Sequence, residues 1–292
     1  AETATKNGAV AGTGMILTSG GLVLTNNHVI DGTINITAQI DGTGPIYKAV
    51  VIGYDASDDV GLIQLQGVSN LPTIPIGDSS KVAVGDAITV LGNALGKGGT
   101  PAQVTGAVTQ LDQQVTASDE SGDNETLTGM IQVSAAIQPG DSGGPEVNSA
   151  GQVIGMTTAG SQSGNPGQET GATTGFAIPI NKAMSIISLI RAGGGPKVHI
   201  GNAALLGVQV SQTQPNTCTT SVASSGAWVD TVVSGSPASG SGIQACSRIT
   251  GIGGHDVATS VDLHTAMDSF PTGPTVVFNR VDSTGAAHSA TT

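Results

Sequence analysis

From residue 8 to residue 92 the chain alternates short apolar runs with Gly, Asn and Asp: Gly14-Met15-Ile16-Leu17, Leu22-Val23-Leu24, Ile34-Asn35-Ile36, Ala49-Val50-Val51-Ile52, Gly61-Leu62-Ile63 and Ala87-Ile88-Thr89-Val90-Leu91. Runs this short, about 8 to 12 residues apart, predict strands of a barrel or sandwich. Residues 103–110, 130–133, 152–156 and 175–178 repeat the pattern and predict a second β-barrel. Between Leu111 and Met130, inside this second set, sits the acid-rich string Ala117-Ser118-Asp119-Glu120-Ser121-Gly122-Asp123-Asn124-Glu125. It reads as a solvated hairpin tip. The alternative is a calcium loop, although the acids lack EF-hand spacing.

The first helical pattern runs from Asn181 to Ala192, with Asn181 as N-cap and Ile186, Ile187, Leu189 and Ile190 as its apolar face. Gly193-Gly194-Gly195-Pro196-Lys197 follows, a composition that stops a helix and suits a linker. Strands are then expected at residues 205–210, 227–233 and 274–281, with a helix at 261–270, as in a small α+β module. The expected organisation is therefore one two-barrel domain over residues 1–192 (barrels about 1–95 and 96–192), a linker at 193–202 and a second domain at 203–292.

Composition narrows the class. The chain has 292 residues, 38% hydrophobic and only 10% charged, which is too apolar for a disordered protein. With 44 glycines and 2% aromatic residues it favours many short strands and turns, a mainly β fold. A net charge of −12 with 9 basic residues leaves little to neutralise phosphates, which argues against nucleic acid and anionic lipid as partners. No apolar run is long enough to span a bilayer. Ala1-Glu2-Thr3-Ala4 lacks the features of a signal peptide, so the chain reads as cytosolic or already processed. Its two cysteines, Cys218 and Cys246, form no Cys-x-x-Cys motif. They fit either one disulfide, which implies export, or two buried thiols.

The sharpest chemical signal is Gly140-Asp141-Ser142-Gly143-Gly144-Pro145. Glycines around a serine permit a tight turn that exposes the hydroxyl and aims the Gly140 and Ser142 amides into one cavity, the geometry of an oxyanion hole. A serine hydroxyl also needs a base, and the base an orienting group. Leu24-Thr25-Asn26-Asn27-His28-Val29-Ile30 supplies a histidine after an apolar strand. Asp58-Asp59-Val60-Gly61-Leu62-Ile63 supplies an aspartate where another begins.

The order His, Asp, Ser and these motifs resemble the chymotrypsin-like serine endopeptidases, and Thr-Asn-Asn-His-Val-Ile resembles the HtrA (DegP-like) branch. The resemblance implies a double β-barrel with His28 as general base, Asp59 as its orienting acid, Ser142 as nucleophile, and the Gly140 and Ser142 amides as oxyanion donors. Asp58 reads as a solvated neighbour. By the same resemblance Ala136, Ile137, Phe176 and Ala177 wall the substrate pocket. None is acidic, so a small aliphatic P1 residue is expected.

The C-terminal module resembles a PDZ domain, with Leu205-Leu206-Gly207-Val208 as the loop that captures a chain terminus. The segments Ser234-Gly235-Ser236-Pro237-Ala238, Val261-Asp262-Leu263 and Pro274-Thr275-Val276-Val277 follow in the family's order. The implied partners are unfolded or extended polypeptides at the cleft and hydrophobic C-termini at the PDZ domain, with no cofactor and no metal. The implied location is secreted or cell envelope, with the signal already removed. The alternative is a catalytically resting, chaperone-like scaffold of the same fold.

The sequence departs from the family in four places. Cys246-Ser247 replaces the usual Gly-Asp and implies a bridge to Cys218. Glu146 stands where an aliphatic residue is usual, and is expected to be exposed or paired. The loop Thr18-Ser19-Gly20-Gly21 is short. No aromatic residue precedes Gly12, whereas family trimers assemble through aromatics in that segment; a homo-oligomer is allowed, a trimer put in doubt. His199, His255, His264 and His288 lack zinc-site spacing, with His264 on the expected PDZ helix, and Trp228 reads as a core anchor.

Overall fold

The computed structural model describes residues 2–5, 8–33, 35–118, 124–161, 174–202, 206–218, 225–268, 270 and 275–291. Leu205, residues 119–123 of the acid-rich string, Ile34 and Pro274 lie outside them. The chain divides into two compact units, the first ending at Gly201 and the second running from Asn202.

In the first unit, β1 (Glu2–Thr5), β2 (Gly8–Ala11), β3 (Met15–Ile16), β4 (Leu22–Thr25), the single-turn α1 (Asn27–Ile30), β5 (Asn35–Gln39), β6 (Ile46–Asp55) and β7 (Val60–Leu65) come first. After them come β8 (Ala87–Gly92), β9 (Ala102–Ser118), β10 (Asn124–Val133), β11 (Pro145–Val147), β12 (Val153–Ser161), β13 (Thr174–Pro179), α2 (Ile180–Arg191) and β14 (His199–Ile200). Two antiparallel sheets result. One runs β2-β1-β5-β6-β7-β4-β3, with β14 added beside β6; the other is a closed barrel, β10-β13-β12-β11-β8-β9. This is a mainly β, chymotrypsin-like double-barrel fold.

Burial explains the pairing. Leu24, Val60 and Leu62 from the first sheet and Met130, Val153, Met156 and Ile178 from the barrel are fully buried in one cluster, into which α2 inserts Ile180, Ala183, Ile186, Ile187 and Ile190. A smaller cluster fills the barrel with Val90, Val133, Ile154 and Ala177.

Several expectations are corrected. Ala87–Gly92 belongs to the second barrel, not the first, because it pairs with both β9 and β11. Asn181 is not the cap of α2: Pro179 holds that position. The Asn181 side chain instead donates to Asp78 Oδ1 at 2.8 Å and accepts from Ser79 N at 3.2 Å, tying the helix to the turn before β8. The expected linker is, through Gly201, part of the first unit. His199 and Ile200 pair with Tyr54 and Gly53 of β6, and the His199 ring stacks on Tyr54. Gly53 permits this, since a Cβ there would lie 2.4 Å from His199 O.

The second unit contains β15 (Val208–Ser211), β16 (Ala227–Val232), α3 (Pro237–Gly240), β17 (Arg248–Ile252), β18 (His255–Asp256), α4 (Ser260–Asp268), β19 (Val277–Val281) and β20 (Ala287–Thr291). Its sheet runs β15-β16-β17-β19-β20, which leaves β15 at an edge. Phe278, Ile249, Ile252, Val229 and Leu263 form the core. Cys218 and Cys246 are joined in a disulfide, so the thiol alternative falls away. Trp228 is buried, with the Arg248 guanidinium 4.8 Å from its ring centre. Favourable cation–π contact offsets part of the cost of burying that arginine.

Glu146, expected to be exposed or paired, is completely buried in β11. Thr157 Oγ1 donates to its Oε1 at 3.4 Å, while Oε2 has no hydrogen-bond partner. Burial without a counter-charge pushes its carboxyl up to about 8 from the usual 4.5. The folded form therefore holds a proton that the unfolded form has released. Its contribution to stability is complete below pH 4.5 and is lost as pH rises towards about 8. Relative to wild type, Glu146→Gln should gain about 1.4 kcal/mol per pH unit across this window. Urea unfolding of both proteins at pH 5.5 and 7.5 checks this; an unchanging gap would refute it.

Candidate active site

The first sheet delivers a histidine and an aspartate to one point. Strand β4 ends at the buried Thr25 and Asn26, and α1 then turns His28 outward, leaving its side chain 40% exposed. The turn from β6 to β7 closes through Asp59 N to Ala56 O and puts Asp59 in the left-handed region, at φ 52°. Aspartate tolerates this better than bulky residues do. Asn26 Nδ2 donates to Asp59 O at 3.0 Å and holds the turn. His28 Nδ1 then lies 3.0 and 2.9 Å from the two Asp59 carboxylate oxygens, and His28 N donates to Oδ1 at 3.0 Å.

The second barrel supplies the serine. In the Gln138–Gly144 turn, Asp141 N donates to Gln138 O, Gly144 N to Asp141 O and Gly143 N to Thr157 O. Among the described residues, the Gly140 and Ser142 amides donate to no backbone carbonyl. Only glycine fits at two positions. A Cβ on Gly143 (φ 82°) would lie 2.2 Å from Thr13 O, and one on Gly140 (φ 96°) 2.3 Å from Asn93 O.

Two residues that motif reading missed join these parts. Thr158 on β12 accepts from Ser142 Oγ at 3.4 Å through its carbonyl, and its hydroxyl donates a short hydrogen bond to Asp59 Oδ2. Thr13 donates through N to Ser142 O at 2.8 Å and through Oγ1 to Gly140 O at 2.7 Å, while its own carbonyl accepts from Thr25 Oγ1. The only sequence signal for Thr13 is its place between two glycines. Thr158 had none, because nothing in a strand pattern marks a hydroxyl that will face a distant carboxylate.

The expected pocket residues divide. Ala136 is exposed. Ile137 is buried over β13, where a Cβ on Gly175 would meet its Cδ1 at 2.0 Å. Phe176 is buried, and Ala177, fully buried in the barrel core, offers no surface to a ligand. Asp58 is not a solvated neighbour: Lys182 Nζ on α2 lies 2.6 Å from its Oδ1 and also donates to Thr128 O. Beside the serine, Asp141 is buried. Its Oδ2 accepts from Gln138 N, its Oδ1 has no partner, and burial raises its pKa.

A histidine, a buried aspartate and a serine between the two sheets of this fold define a trypsin-like peptidase domain, and the profile of the family described as "Trypsin-like peptidase domain" matches residues 12–156. The chain belongs to the HtrA (DegP-like) family. It is 35% identical over 255 residues to a probable periplasmic serine protease do/HhoA-like of Haemophilus influenzae, covering 86% of this chain and 51% of that one. It is 32% identical to the serine protease Do-like HtrA of Lactococcus lactis, covering 91% and 66%. The chain thus spans between half and two thirds of these relatives. Among solved structures, an HtrA-type protease AlgW with tripeptide superposes with a TM-score of 0.56 at 26% identity, over 99% of this chain and 90% of that one.

The Asp58–Lys182 pair is mostly shielded, so its two ends should couple. A double-mutant cycle of Asp58→Asn and Lys182→Met in urea unfolding should give a coupling of about 1 kcal/mol. Additive effects would show the pair to be energetically idle.

Proposed function

We propose that the chain is a serine endopeptidase acting on unfolded or extended polypeptides outside the cytoplasm. The observation that carries this reading is the His28 imidazole held by the buried Asp59 carboxylate, together with Ser142 on a turn whose Gly140 and Ser142 amides engage no backbone carbonyl among the described residues. In the reaction His28 Nε2 takes the Ser142 Oγ proton as Oγ attacks the substrate carbonyl, then returns it to the leaving amine. Asp59 fixes the imidazole by accepting from Nδ1 and stabilises the imidazolium. The Gly140 and Ser142 amides, unengaged by backbone carbonyls, receive the negative oxygen. A small aliphatic P1 residue suits a site where Ile137 fills the space over Gly175. The location is supported by the periplasmic naming of a relative and by the disulfide, and no described helix is long and apolar enough to cross a membrane.

The second unit is proposed as a PDZ domain. Its support is β15, entered from Leu206-Gly207, which among the described strands lies at an edge of the sheet and can accept a peptide C-terminus as an added strand. The second reading is a resting scaffold, favoured by the Ser142 hydroxyl donating to Thr158 O.

Fluorophosphonate labelling and casein cleavage decide between the two. Ser142→Ala should lose both, with kcat falling about 10⁵ to 10⁶-fold; residual activity above about a tenth would remove Ser142 as nucleophile. No labelling of wild type would favour the scaffold. Thr158→Val should lower kcat about tenfold with little change in KM and shift the acid limb of the pH profile, while Thr158→Ser restores both. Equal kcat/KM on Val-P1 and Arg-P1 peptides would refute the aliphatic preference.

A further inference from the structure

The first unit holds a cavity of about 380 Å³ that contains none of His28, Asp59 or Ser142. This lies at the lower end of the roughly 300 to 1,000 Å³ of small-molecule sites. Met15, Val23, Ala38 and Leu65, all buried strand residues, form its floor, and Ile74 and Leu91 add to its apolar lining. Asp41 and Gly99 are exposed members of the lining. Gly99 N donates to Gly42 O at 2.9 Å, and a Cβ on Gly42 would lie 1.7 Å from Gly99 O, so two glycine turns close together there.

Two lining residues, Thr13 and Asn93, are also the supports of the nucleophile turn. Thr13 Oγ1 accepts from Asn93 N at 2.9 Å and donates to Gly140 O, and Thr13 N holds Ser142 O. Asn93 Oδ1 accepts from Gly98 N at 2.8 Å. With these polar atoms engaged, the cavity offers a ligand mainly apolar surface. Among the described residues no Lys, Arg or His lines it and its one ionisable group is Asp41, and the chain carries a net charge of −12. An anionic lipid chain is therefore disfavoured on electrostatic grounds.

We propose that this cavity is a binding site for an uncharged apolar molecule, and that its occupancy stiffens the Thr13–Asn93 wall and thereby the Gly140–Ser142 turn. Binding stands on the cavity alone, whereas the coupling rests on Ser142 being the nucleophile. An apolar ligand in this solvent-open pocket makes packing contacts with the lining that water does not, so the wall loses alternative arrangements. The expected consequence is a faster reaction at Ser142.

The test uses the full chain with 1-aminoanthracene as fluorescent probe. Saturable binding of one probe per chain is expected, displaced by decan-1-ol but not by decanoate. Ala38→Ile and Ile74→Phe, which narrow the cavity from different walls, should each weaken probe binding tenfold or more. Their urea midpoints, at or above wild type, report that they fold. Saturating decan-1-ol should raise the rate of fluorophosphonate labelling at least threefold in wild type and leave it unchanged in Ala38→Ile. Absent binding, or binding in both narrowed variants as tight as in wild type, overturns the site, and displacement by decanoate overturns the neutral ligand class. Binding with an unchanged labelling rate overturns the coupling. A wild type that never labels removes the nucleophile reading and the coupling with it, while the fluorescence result still decides the site.

Discussion

A buried carboxylate must have its oxygens occupied, and at Asp59 that requirement joins the two sheets of the first unit. Its oxygens accept from His28 N, His28 Nδ1 and Thr158 Oγ1, groups drawn from α1 and from β12. If β12 moved away, the aspartate would be left short of a donor in a desolvated place, at a cost of about 1 to 3 kcal/mol or more. The same residue that satisfies Asp59 also receives the Ser142 hydroxyl. The position of the serine relative to the histidine is therefore set by a structural necessity, the hydration that Asp59 has lost.

The serine turn is secured from the opposite direction. Thr13 binds Ser142 O and Gly140 O at once and is itself held by Thr25, the residue before Asn26 and three before α1's histidine. One short segment thus references both the base and the nucleophile to the same backbone. The neighbouring acids are treated differently. Glu146 and Asp141 each keep one oxygen without a partner, and both have raised pKa values. Asp141 lies in the turn itself and Glu146 just after it on β11, and burial disfavours the charged form of both.

Much of this was legible from sequence because it depends on local pattern. Short apolar runs at regular spacing located most strands of both barrels, and the glycines around Ser142 announced a turn whose φ values at Gly140 and Gly143 disfavour other residues. What stayed hidden depended on pairing between distant segments. Ala87–Gly92 looks like any other strand until its partners β9 and β11 are known. Asn181 has the chemistry of a cap, but Asp78 and Ser79, remote in sequence, offer it better partners. Asp58 has the character of a surface acid until α2 brings Lys182 against it. Glu146 was expected to be exposed or paired, yet β11 lies between β8 and β12 and buries it, and a proton replaces the missing counter-ion.

Both cysteines lie in the second unit and are joined to each other. Closing a loop of 28 residues is worth about 3 to 4 kcal/mol in the chain-entropy picture. The first unit contains no cysteine, so no disulfide contributes to its stability. The second has that contribution only where thiols oxidise. The two halves of the chain therefore differ in what they draw from their surroundings: only the second gains stability from an oxidant.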